Sequence, residues 1–260
     1  MVEDSQLGAI ATRIFCVSLP KIGESEQSIQ DRYASNSSFS AIALADGAGS
    51  SLYPKKWAEI LVEAFCKATG NPITALRESH LDWLSPLQEQ WRQYYLERLQ
   101  SPKRNWWEGG SQLKSHGSAT FLGLWLPTMP AGVEEGYWQA VAVGDSCLFQ
   151  WDCQGDRLQA FPLQASTSFR RTTQCFASLP DCHSFSPQFT EGLYVHGDRF
   201  LLATDALSKW ILQNLEAQGE EWKDLFAIET REEFIAIVDR LRHTESIDND
   251  DTTAIIVRNL

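Results

Sequence analysis

Aspartate recurs at the ends of apolar runs in this chain, and that placement is where chemistry would begin. Asp46 closes "AIALA" within "ALADGAGSS" (43–51), Asp145 follows "AVAVG", Asp205 follows "FLLAT", and Asp250-Asp251 precede "TTAIIV". Singly, each has a plain structural use. Asp46-Gly47 is a good turn dipeptide, Thr204 or Asp205 can N-cap the helix "ALSKWILQNL", and Asp250 can end a loop. Taken together they point elsewhere. Carboxylates at the ends of neighbouring strands converge in space, and converging unpaired carboxylates repel unless a cation sits among them. Hard divalent ions such as Mg2+ and Mn2+ suit such a site, because they take oxygen ligands, keep several waters and need only a few carboxylates.

Three rival motifs fare worse. "GAGSSL" is a truncated G-x-G-x-x-G whose third glycine is Leu52, and no G-K-[ST] exists anywhere, so dinucleotide and P-loop binding are poorly supported. "DNDDTT" starts like a calcium loop but has Thr253 where glycine is required and Asn259 where glutamate is required. "VGDSCLF" offers Ser146 as a nucleophile of the GDS-esterase kind. Ser146 lies mid-chain between strands, however, and Asp239-x-x-x-His243 has the wrong spacing for its partners.

The elements that would position the acids can be read from periodicity. Strands are expected at 12–19, 39–45, 119–126, 137–143, 147–151, 199–204 and 253–257. Trp57, Ile60, Leu61, Ala64 and Phe65 share one helical face, residues near 74–100 read as a helical hairpin broken around Ser85-Pro86, and "ALSKWILQNL" and "REEFIAIVDRLRH" give two more helices. Consecutive strands without intervening helices favour an α+β sandwich of antiparallel sheets with helices outside over a doubly wound parallel sheet. No repeat or linker divides residues 1–260, so one domain is expected. Most of the ten tryptophans fall on the apolar faces of these elements and are assigned to the core.

Composition narrows the function classes. A net charge of −12 argues against a nucleic-acid partner, which needs a basic face. Residues 216–251 carry twelve acidic against four basic side chains, most of them read as a solvated helical face. The six cysteines form no CxxC pair and are expected to be reduced thiols. The acidic N-terminus lacks an apolar signal region and the longest uncharged stretch is broken by prolines, so no membrane partner is expected and the cytoplasm is the expected compartment.

In chain order, "QD" (30–31), "LADGAG" (44–49), "GSATFLGLW" (117–125), "VAVGDSCLFQWD" (141–152), "FLLATDALSKWI" (200–211) and "DDTTAIIV" (250–257) resemble the blocks of metal-dependent serine/threonine phosphatases of the protein phosphatase 2C type. The resemblance spans nearly the whole chain, and Ala206 in "LATDALSKW" resembles a bacterial branch. It implies an α-β-β-α sandwich with a binuclear Mg2+ or Mn2+ centre at one edge. Asp46 would bridge both ions and hold the attacking water, with the Gly47 carbonyl as a further ligand. Asp205 and Asp250 would bind the second ion, Asp31 would be a direct or water-mediated ligand, and Asp145 would help hold a weaker third. Residues 163–181 would form the flap over the substrate. The implied reaction is hydrolysis of phosphoserine or phosphothreonine in a phosphoprotein without a covalent intermediate. A cognate kinase is the implied counterpart, and no attached segment suggests more than a monomer.

The chain departs from the better-known pattern at three places. Glu26 stands where an arginine grips phosphate, Ala48 replaces a histidine, and Gln30 replaces a glutamate. Arg32, Arg170 and Arg171 are the candidates to replace the arginine, with Arg170-Arg171 assigned to substrate binding. The departures keep open an alternative, a catalytically weak relative that binds phosphoproteins as a regulator.

Overall fold

The apolar runs become strands that are covered on both faces, which is why they read as continuous rather than alternating. A computed structural model describes residues 12–38, 40–100, 116–129, 132–182 and 186–258. One antiparallel sheet has the order β1-β12-β11-β7-β8, formed by Arg13–Leu19, Thr252–Arg258, Arg199–Ala203, Cys147–Asp152 and Arg157–Phe161. The second, also antiparallel, has the order β10-β6-β5-β3-β2, formed by Gln188–Val195, Glu135–Val143, Phe121–Trp125, Ala41–Ala45 and Arg32–Ser35. A two-stranded ribbon pairs β4 (Ser118–Ala119) with β9 (Phe176–Ala177).

The period of two sorts side chains into layers. Ile42 and Leu44 of β3 face Phe200 and Leu202 of β11 and Ile255 and Val257 of β12 in the core between the sheets. Their neighbours Ala41, Ala43 and Ala45 pack outward against Trp57, Leu61 and Phe65 of α1 (Pro54–Lys67) and Leu76, Leu84 and Trp91 of α2 (Pro72–Gln100). On the other side, Leu201, Ala203, Ala254 and Ile256 meet α3 (Asp205–Glu216), α4 (Lys223–Ala227) and α5 (Arg231–His243) through Leu207, Ile211, Phe226, Phe234 and Val238. The result is the expected α-β-β-α sandwich.

All seven expected strands form, with ends shifted by at most a few residues. The break expected at Ser85-Pro86 lies instead at Ser79, whose φ of −157° and ψ of 99° leave the helix. The Ser79 hydroxyl accepts the Asp82 N–H at 3.2 Å and starts the second segment, as an N-cap does. Pro86 is then tolerated inside the helix because it lies on the exposed face, where water can meet the freed carbonyl. Trp57, Trp91, Trp138, Trp210 and Trp222 are buried as expected, while Trp106 and Trp107 lie outside the described residues. The six cysteines are free thiols.

Candidate active site

Register alone gathers the acids. Arg32 pairs with Ala45, Phe121 with Val143, Cys147 with Ala203, Ala203 with Ala254 and Leu19 with Thr252. These pairs close the same end of both sheets. The residues just beyond them are Asp31, Asp46, Asp145, Asp205 and Asp250, so the sandwich delivers five aspartates to one edge.

The turn at Asp46 is fixed by its neighbours. The Asp46 N–H donates to Thr120 Oγ1 at 3.1 Å, and the Thr120 N–H returns to the Asp46 carbonyl at 2.8 Å. The Thr120 hydroxyl in turn meets the Ser146 hydroxyl at 3.0 Å. Ser146 is 1% exposed and serves this chain of bonds, which disposes of a serine nucleophile at that position. Gly47 is required by close approach: a Cβ there would stand 2.9 Å from the Pro54 carbonyl carbon and 3.0 Å from the Gln30 carbonyl oxygen. The 46–47 and 30–31 loops therefore abut.

Asp31 lies between those loops and β12. Its Oδ2 accepts the Thr253 hydroxyl at 2.7 Å, and that hydroxyl is also 2.7 Å from Ser18 Oγ on β1. Its Oδ1 is buried and meets no donor. Burial and the neighbouring Asp251 carboxylate push the Asp31 acid up to about 7, against the opposing bond from Thr253. Asp46 is driven well above the ordinary carboxylate range by burial, then by the charges of Asp31, Asp205 and Asp250. Asp205, the first residue of α3, rises to about 7 by burial and by the Asp145 and Asp250 charges. Asp145 also rises by burial, opposed by a hydrogen bond from Thr173 in the expected flap. Each acid is thus raised by burial, and three of the four also by other acids, the condition that a bound cation would relieve.

Thr204 holds the N-cap position of α3, but its hydroxyl accepts the Thr253 N–H at 2.9 Å instead of capping. That bond welds β12 to the start of α3 and so relates Asp205 to the 250–253 segment. Asp250 is the most open member, and its carboxylate pairs with Lys21 Nζ at 2.8 Å. Its neighbour Asp251 is 4% exposed and accepts the backbone N–H groups of Gln30 at 2.8 Å and Lys21 at 3.1 Å. Lys21 carries no signal in the sequence, and the roles of Asp251 and Thr253 as partners of the 21–31 segment are not legible there. Their partners lie more than two hundred residues away in the chain, so no local signal marks them.

Among the described residues, none of the remaining candidates pairs with an aspartate carboxylate of the edge. Glu26 pairs with Arg231 at the start of α5, and both line a cavity of about 430 Å³ shared with Asp31 and Arg32. The Arg32 guanidinium bonds the Ile29 and Asp31 carbonyls. Arg170 and Arg171 are exposed on the flap, ahead of Thr173, with no ion pair among the described residues.

An oxygen-rich donor set, a buried carboxylate oxygen without a donor and mutually repelling acids fit Mg2+ or Mn2+. Among the described residues, no three acidic, histidine or cysteine side chains are already closed into ligand geometry, and no helix is long and apolar enough to cross a membrane.

Solved structures share the fold. The Mycobacterium tuberculosis serine/threonine phosphatase PstP/Ppp matches with a TM-score of 0.60 at 15% identity, covering 95% of this chain and 98% of that one. A PstP catalytic domain in complex with two manganese ions matches at 0.56 and 14%, covering 95% and 97%. PppA of Pseudomonas aeruginosa, described as a key regulatory component of T6SS, matches at 0.58 and 18%, covering 95% and 98%. No curated protein sequence matches the chain. The sequence profile of the family described as Protein phosphatase 2C matches residues 23–247, and the chain belongs to that family.

Proposed function

We propose that the protein is a Mg2+- or Mn2+-dependent phosphatase that hydrolyses phosphoserine and phosphothreonine in proteins. The observation that carries this reading is the convergence of five aspartates on one sandwich edge, with a buried Asp31 oxygen that no donor meets. Membership of the phosphatase family and the two manganese ions of the PstP domain support it.

In this reading Asp46 and the Gly47 carbonyl would be the principal ligands, Asp205 and Asp250 would hold a second ion, Asp31 would bind directly or through water, and Asp145 would help to hold a weaker third ion. When bound, such ions lower the pKa of a coordinated water and neutralise the charge of a phosphomonoester. The chain's own work is positional. Thr253 orients Asp31, Thr120 and Ser146 fix the Asp46 turn, and the absent Cβ of Gly47 lets the two loops meet. Arg170 and Arg171 would offer an acidic phosphoprotein a local basic patch against the overall charge of −12. A single catalytic unit over 1–260, a monomeric state, a cognate kinase and a cytoplasmic setting belong to the same proposal.

The test is release of phosphate from p-nitrophenyl phosphate and from a phosphothreonine peptide, with Mn2+, Mg2+ or EDTA. Turnover that needs the ion and falls about a thousandfold or more in Asp46→Ala is the expected result. Turnover that survives EDTA, or is unaffected in Asp46→Ala, overturns it. A second reading, the catalytically weak phosphoprotein-binding regulator, is favoured by the Lys21 ammonium on Asp250 and by Glu26 turned to Arg231. It predicts phosphopeptide binding without turnover under every ion.

A further inference from the structure

We propose that Lys21 is a built-in counter-ion of Asp250, and that a divalent cation must displace its ammonium to take that carboxylate. The proposal rests on the functional reading above. Among the described residues, Asp250 is the one member of the five-aspartate cluster that carries an ion pair, with Lys21 Nζ 2.8 Å from its Oδ1. The contact is set up by the backbone. The Lys21 N–H donates to Asp251 at 3.1 Å, and the next N–H, of Ile22, donates to Asn249 Oδ1 at 2.8 Å. Segment 21–22 is thereby stapled along segment 249–251, with Lys21 opposite Asp250. From the other side, Arg242 of α5 donates to the Asp250 carbonyl at 2.7 Å and holds the acid in place.

Two cations on one carboxylate oxygen repel at short range, so the ammonium and a divalent ion exclude one another. The lysine side chain is 32% exposed, and its four-carbon stem lets the head swing into solvent while the backbone staples stay closed. Ion affinity on the Asp250 side is then set by a competition inside the protein, whereas Asp46 and Asp31 carry no such rival among the described residues.

Calorimetric titration of Mn2+ into the full chain tests this with K21M, K21R, D46N, D250N and the K21M/D250N pair, folding being checked by circular dichroism. K21M should bind Mn2+ about three- to tenfold more tightly than wild type, K21R should stay near wild type, and K21M should change nothing in the D250N background. Equal or weaker binding by a folded K21M, while wild-type binding is still lost in D46N, overturns the role of Lys21 alone. No binding by either wild type or K21M overturns the metal reading and this proposal with it.

Discussion

Two buried carboxylates a short distance apart have opposite surroundings. Asp251 is 4% exposed, and each of its oxygens receives a backbone N–H, one from Lys21 and one from Gln30. Asp31 is 2% exposed, yet one of its oxygens meets no donor and the other carboxylates of the edge surround it. The first is a complete structural tie that fastens the 21–30 loop to β12. The second is a group left short of partners among other carboxylates, as expected where a ligand completes the set.

Stability separates the two kinds. Asp251→Ala leaves two backbone donors without their charged acceptor and should cost about 2–3 kcal/mol in urea unfolding. Asp46→Ala removes a carboxyl whose ionised form is penalised by burial and by the Asp31, Asp205 and Asp250 charges, and should raise the stability of the metal-free protein by about 1 kcal/mol. A loss in Asp46→Ala as large as in Asp251→Ala would erase the distinction.

pH sharpens the same contrast. Asp31 and Asp205 titrate near 7 in the folded metal-free protein against an ordinary 3.8. Between those values the folded state binds more protons than the unfolded chain, so stability must fall as pH rises through the window. Saturating Mn2+ should flatten that slope, because the ion replaces the protons. A metal-free melting temperature that rises from pH 4 to 7 would contradict it. The smallest effect is expected at Ser146. Ser146→Ala removes one buried bond to Thr120, costing about 1 kcal/mol and leaving metal-dependent turnover within a few-fold of wild type. Loss of turnover there would reopen serine chemistry.

The sequence made the interior legible and the margins obscure. Strands buried on both faces, such as Ala41–Ala45 and Arg199–Ala203, announce themselves as apolar runs. β2, β8 and β10 were not anticipated, and all three are sheet edges. An edge strand needs fewer apolar contacts and carries polar residues, as in "RLQAF". β10 also contains Gly192, packed so closely under Trp138 that a Cβ would stand 2.8 Å from the ring. The site divides the same way. Asp46, Asp145, Asp205 and Asp250 are legible because each follows or precedes an apolar strand, whereas Asp31, ahead of the polar edge strand β2, is reached only through the family resemblance. The groups that govern them, Thr253 on Asp31, Asp251 on the 21–30 loop and Lys21 on Asp250, depend on pairing between the two ends of the chain.

Whether the aspartate edge binds a divalent cation can be read from anomalous diffraction by crystals grown with Mn2+. Anomalous density is expected against the Asp46 carboxylate and the Gly47 carbonyl, absent in crystals of Asp46→Ala. Manganese found only elsewhere on the surface, with the Asp46 edge empty at saturating ion, would contradict this expectation.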